Sequence, residues 1–171
     1  MLTSNLALYL GTFIVWGFLM SFFLNLYFRC ISVKTDNLLV FCSFAIFCSY
    51  FISDHLYELF DQTEVYKTWS IYDFVTLCII YIGQRLLKTK ASPGVIYTYI
   101  GLSINTLLFL FMHLDIVIFK NTTPWLLWDL YSLGVNVLDF SMIVALIVDR
   151  DIFGIIKLFN YVKRKKALNL K

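Results

Sequence analysis

The chain has 171 residues, 60% of them hydrophobic, 19% aromatic and only 15% charged, with a formal net charge of +3 and a mean hydropathy of +0.79. Soluble domains are nearer 45–50% apolar and about 25% charged, so an ordinary water-soluble domain is excluded. With 7 glycines and 2 prolines, no internal repeat and no low-complexity tract, a flexible linker between domains is excluded too.

Five stretches reach or approach the roughly 20 residues that cross about 30 Å of hydrocarbon. They are 6–28, 38–60, 69–86, 95–118 and 125–148. The first, within "MLTSNLALYLGTFIVWGFLMSFFLNLYF", has no basic leader and no small-residue cleavage site, and reads as a retained span. The third, "WSIYDFVTLCIIYIGQRL", is the shortest and most polar. An unpaired backbone amide in lipid costs several kcal/mol, which makes each span a helix. Ser92-Pro93-Gly94 and Thr123-Pro124 mark turns, and Pro124 suits the first positions of the helix that follows. The expected fold is all-α: a bundle of about five transmembrane helices over residues 1–150, followed by an amphipathic basic tail over 151–171.

Twelve of the 14 basic residues fall on one side if the N-terminus lies outside, and only Lys67 and Lys120 fall on the other. By the positive-inside rule this predicts an outer N-terminus and a cytosolic C-terminus. Among the acidic residues only Asp36, Asp149 and Asp151 belong to the inner side. Asp54, His55, Glu58, Asp73, His113, Asp115 and Asp129 form an expected polar cluster at the outer ends of four helices. Asp54, Glu58 and Asp61 share a face at i, i+4, i+7. Converging carboxylates and imidazoles suit a hydrogen-bonded network, a ligand pocket or an outside partner. No ExxH pair repeats, and no metal or cofactor is assigned.

The fifth span carries a sharper pattern. Asp129, Ser132, Asn136 and Asp139 recur at heptad-like spacing from its outer end toward its middle. An aspartate at mid-span costs about 2.5–3.5 kcal/mol on insertion scales, so Asp139 should face protein or water. Gly101, Asn105 and His113 on the fourth span, and Asp73, Thr76, Gly83 and Gln84 on the third, are the small or polar positions on offer to it. The stripe suits interhelical hydrogen bonds, a homo-oligomer interface, or a proton or ion pathway.

In the tail, Ile152, Ile155, Ile156 and Phe159, with Leu158 or Val162, recur at helical spacing before Lys163, Arg164, Lys165 and Lys166. Such a helix lies on the inner leaflet against anionic lipid, and also suits a cytosolic protein partner. Direct nucleic-acid binding is not expected of four basic residues beside a membrane. Cys30, Cys42, Cys48 and Cys78 form no CxxC or zinc spacing and read as buried free thiols. Asn121-Thr122-Thr123 is formally a glycosylation acceptor, which Pro124 and a short loop disfavour.

No nucleophile–base set, phosphate loop or HExxH motif is present. The pattern reads as a non-enzymatic integral membrane sensor or anchor that oligomerises and holds a cytosolic effector. The alternative is a small transport component or ion-conducting oligomer with an outward acidic pocket. In size, polytopic helical build and basic inner tail, this Ile-, Phe- and Lys-rich chain resembles KwaA, the membrane subunit of bacterial Kiwa antiphage defence systems. The resemblance implies an inner-membrane sensor that responds to envelope perturbation by phage.

Overall fold

The computed structural model describes residues 2–55, 64–158, 161 and 165, with side chains from residue 10 onward. It is all-helical: α1 (Leu2–Cys30), α2 (Asn37–His55), α3 (Val65–Leu87), α4 (Pro93–His113) and α5 (Leu126–Val148), with no strand among the described residues. All five are long and apolar enough to cross a membrane, and the protein is membrane-embedded. At 1.5 Å per residue, α2 with 19 residues spans about 28 Å.

Successive helices pack side by side, and α5 closes back on α1. The result is a ring of alternating helices in chain order, with α2 and α4 also touching across its interior. The loops α1–α2 and α3–α4, together with the start of the tail, form a basic end. The opposite end is acidic. Phe13, Trp16, Met20, Leu133, Val137 and Phe140 are exposed along the outside, where lipid covers them, while Asn25, Thr98, Asn105 and Asp139 are buried inside. Polar side chains kept inside, under an apolar exterior, are the arrangement that hydrocarbon solvent favours.

Two boundaries differ from the sequence expectation. α3 starts at Val65 rather than 69, so Asp73 lies about two turns inside the helix rather than one. Tyr66 of this added turn and Trp69 just after it pack against Tyr131 and Phe109 of neighbouring helices, and that packing holds the turn in place. Pro124 precedes the first residues of α5, which opens with Trp125 as its N-cap. It is Pro93 that occupies the first helical positions, in α4, where its missing N–H costs no hydrogen bond.

The basic end of the ring is plugged. Phe18, Leu39, Ile46, Leu102, Met142 and Leu146 are fully or almost fully buried there. All three acidic residues at this end cap helices. Asp36 Oδ1 accepts from the amides of Leu38 (2.9 Å) and Leu39 (3.3 Å) at the start of α2. Asp149, the left-handed C-cap of α5, accepts from the Gly94 amide (2.9 Å) at the start of α4. Asp151 accepts from the amides of Ile156 (3.3 Å) and Lys157 (3.0 Å), where the tail turns helical, and from the Tyr97 hydroxyl (2.7 Å). Lys34 Nζ donates to the Ile147 carbonyl (2.9 Å) at the C-terminus of α5, a favourable place for a cation.

Burial of the free thiols holds for Cys42 alone: Cys48 is half-buried, and Cys30 and Cys78 are exposed. Cys78 falls on the outward face of α3 near Val75, Ile79 and Ile82, which are themselves exposed to lipid.

Candidate functional site

At the acidic end the ring is not filled. A cavity of about 940 Å³ runs from the helix ends into the bundle. α1 contributes only Gly11, Ile14 and Val15 to its wall, and α4 only Phe109. α2 lines it with Tyr50, Ser53, Asp54 and His55, α3 with Trp69, Tyr72 and Asp73, and α5 with Tyr131, Ser132, Val135, Asn136 and Asp139. All of these positions but Asp139 lie toward the acidic end of their helices; Asp139 is just past the middle of α5, and the apolar plug beyond it leaves the cavity blind toward the basic end. Its described lining holds three aspartates and one histidine, and no lysine or arginine.

Asp139 forms the floor, 13 residues after Leu126 and so about 20 Å along α5. It is 3% exposed. The Tyr50 hydroxyl donates to its Oδ1 at 2.5 Å and Asn105 Nδ2 donates to the same oxygen at 2.7 Å. Asn105 Nδ2 also lies 3.3 Å from the Tyr50 hydroxyl, so three residues from three helices close one small network. The Tyr50 ring rests on Phe18, with centroids 4.6 Å apart, at the boundary with the apolar plug.

Asp73 differs from Asp139 in one respect. It is 5% exposed, yet its buried Oδ2 has no hydrogen-bond partner. A buried acceptor without a partner costs about 1–3 kcal/mol, and more when charged.

The expected outer cluster is thereby divided. Asp54 and Asp73 line the cavity. His55 is at its mouth, 3.7 Å from Asp54 and stacked on Phe51 at 4.2 Å. Asp115 has a separate task. α4 widens into a π-helical turn at Leu114–Ile118, and from it Asp115 accepts from the indoles of Trp125 (3.0 Å) and Trp128 (2.8 Å) and from Asn121 Nδ2 (3.1 Å). That lock ties the end of α4 to the start of α5, and it occupies the side chain of the formal glycosylation acceptor. His113 is buried away from the cavity lining, with Nδ1 unpartnered. Asp129 is exposed and does not line the cavity. Glu58 and Asp61 lie outside the described residues, as do Lys163, Arg164 and Lys166 of the tail; Lys165 is exposed. No group of three or more His, Cys, Asp or Glu side chains that could hold a metal occurs among the described residues.

Of the stripe on the fifth span, Ser132, Asn136 and Asp139 line the cavity of their own chain, and Asp129 does not. Asn136 Nδ2 donates to the Ser132 carbonyl at 2.6 Å. Sequence reasoning named Asn105 as a polar position open to Asp139 and passed over Tyr50. The signal for Tyr50 was its place one turn before Asp54, on the same helical face.

Comparison with protein-family models, with curated proteins and with solved structures gave no match.

Proposed function

We propose that this chain is a non-enzymatic receptor subunit of a membrane, which takes a small molecule into the acidic cavity from the outer side. The observation that carries the reading is Asp73, a carboxylate kept buried with an unpartnered oxygen on the wall of a cavity. A group that burdens the fold and lies on a cavity wall is the mark of a binding position rather than of packing. The skewed basic residues favour an orientation with the cavity outside and the tail in the cytosol. The blind floor favours reception over conduction through a single chain, which sets the transport reading second.

The tail supplies an output surface in this reading. Ile152, Phe153, Leu158 and Tyr161 are exposed beside it, and Asp151 fixes its first turn to α4 through Tyr97. Such a surface suits anionic lipid or a cytosolic effector, as a sensor-anchor requires.

Side-specific labelling tests the reading. In a chain carrying Cys30→Ser and Cys78→Ser, Asn136→Cys should react with a charged, membrane-impermeant thiol reagent from the outer side. Val137→Cys, on the exposed lipid face, should not. An Asn136→Cys variant that reacts from neither side, or only from the cytosol, contradicts an outward, water-filled cavity.

A further inference from the structure

We infer that the cavity binds an organic ammonium group, held between Asp73 and Asp139 and walled by aromatic rings. This rests on the receptor reading above and adds the chemistry of the ligand.

Three observations converge on it. The first is charge: the described lining holds three aspartates and no lysine or arginine, so the space favours a cation over an anion. The second is the unpartnered, buried Oδ2 of Asp73, an acceptor waiting for a donor. Asp139 has two described donors, both on Oδ1. An alkylammonium brings up to three N–H donors and a positive charge, and no acceptor that would need a partner of its own.

The third is the wall. Tyr50, Trp69, Tyr72, Phe109 and Tyr131 line the same space, with Trp69 and Phe109 centroids 5.4 Å apart and Phe109 and Tyr131 5.8 Å apart. Aromatic faces attract an ammonium group and cover the hydrocarbon attached to it. A bare divalent ion fits poorly: calcium takes 6–8 oxygen ligands, and no three metal-ligating side chains come together among the described residues. The volume, about 940 Å³, suits an organic molecule.

Two sources share this chemistry, a soluble amine and the headgroup of an aminolipid, and the test separates them. The intact chain is placed in nanodiscs of phosphatidylglycerol alone, and radiolabelled benzylammonium and benzyl alcohol are offered by equilibrium dialysis. Benzylammonium should bind saturably, and benzyl alcohol about tenfold more weakly or worse. Asp73→Asn should weaken benzylammonium by about tenfold or more, and Asp151→Asn, at the other end of the bundle, should leave it unchanged. Repeating the titration with phosphatidylethanolamine in the nanodisc assigns the source. Lowered apparent affinity means that the headgroup competes for the site, and unchanged affinity means a soluble amine.

Equal binding of benzyl alcohol and benzylammonium overturns the ammonium assignment and leaves the receptor reading standing. Unaltered binding by Asp73→Asn overturns it as well. Absence of binding by either probe, with Asn136→Cys still labelled from outside, also rejects the ammonium and keeps the cavity. Absence of both binding and labelling rejects the receptor reading itself.

Discussion

The carbonyl oxygen of Ala145 on α5 lies 2.9 Å from where a Cβ on Gly94 of α4 would stand. Two turns further along α4, a Cβ on Gly101 would stand 2.4 Å from Met142 Sδ. These two glycines let α4 and α5 approach, and the approach sets the register that brings Asn105 opposite Asp139. The two contacts differ in kind: backbone cannot move aside, whereas a methionine side chain can change rotamer. Gly94→Ala should therefore destabilise the protein by about 1–3 kcal/mol, and Gly101→Ala by less. Thermal unfolding of both variants in one lipid checks the order. Equal losses would mean that Met142 is as fixed as the backbone.

Asn105 is predicted to act as a donor to Asp139 rather than as filler. Asn105→Leu removes one of two described donors to a buried oxygen and should cost about 1–3 kcal/mol. In a cycle with Asp139→Leu, the coupling between the two positions should be about 0.5–3 kcal/mol. Additive losses would place Asn105 outside the network.

Asp115 should matter to the fold and not to the cavity. Asp115→Ala leaves the indole N–H groups of Trp125 and Trp128 without their acceptor, at a cost of about 1–3 kcal/mol. Benzylammonium affinity should hold while hydrogen exchange rises in the α4–α5 connection. A tenfold loss of affinity would join this lock to the site.

Much of the architecture was legible because lipid imposes simple rules. Length and hydropathy located all five spans, and the cost of a mid-span aspartate put Asp139 inside with Asn105 within reach. The start of α3 was misplaced because Val65, Tyr66 and Lys67 read as loop when only hydropathy is counted. Their turn is held by aromatic packing across helices, which a single span cannot reveal. The outer cluster looked like one site because depth along a helix is readable, whereas azimuth around the ring is not. Asp73 and Asp115 lie at the same end of the bundle, yet one faces the cavity and the other faces Trp125 and Trp128. Tyr50 was missed because a tyrosine in an apolar run looks like any other aromatic until its neighbours are known.

The start of the tail should respond to acid in one direction. Burial alone would raise the Asp151 carboxyl, but donation from the Tyr97 hydroxyl and the Lys157 and Ile156 amides, with the Lys157 charge nearby, outweighs it and holds the group below its ordinary value of 3.8. A depressed folded value means that the contact is at full strength above the ordinary carboxylate range and is lost as pH falls through the folded value. Amide exchange at Ile156 and Lys157 should stay slow from neutral pH through mild acid and quicken only below that range, after correction for intrinsic rates. Asp151→Asn should be fast throughout. Release of the wild-type tail between pH 5 and 7 would assign the latch to some other group.

The account rests on Asp73 being kept for a ligand rather than for the fold, and the thermal stability of Asp73→Asn without added amine tests this directly. Replacing a buried, unpartnered carboxylate with a neutral side chain of nearly the same shape should relieve the part of the penalty that comes from charge. The midpoint should rise by about 2–4 °C for each kcal/mol recovered, while benzylammonium no longer stabilises the variant. A midpoint that falls by several degrees, with the response to benzylammonium intact, would make Asp73 part of the helix packing and contradict the receptor reading.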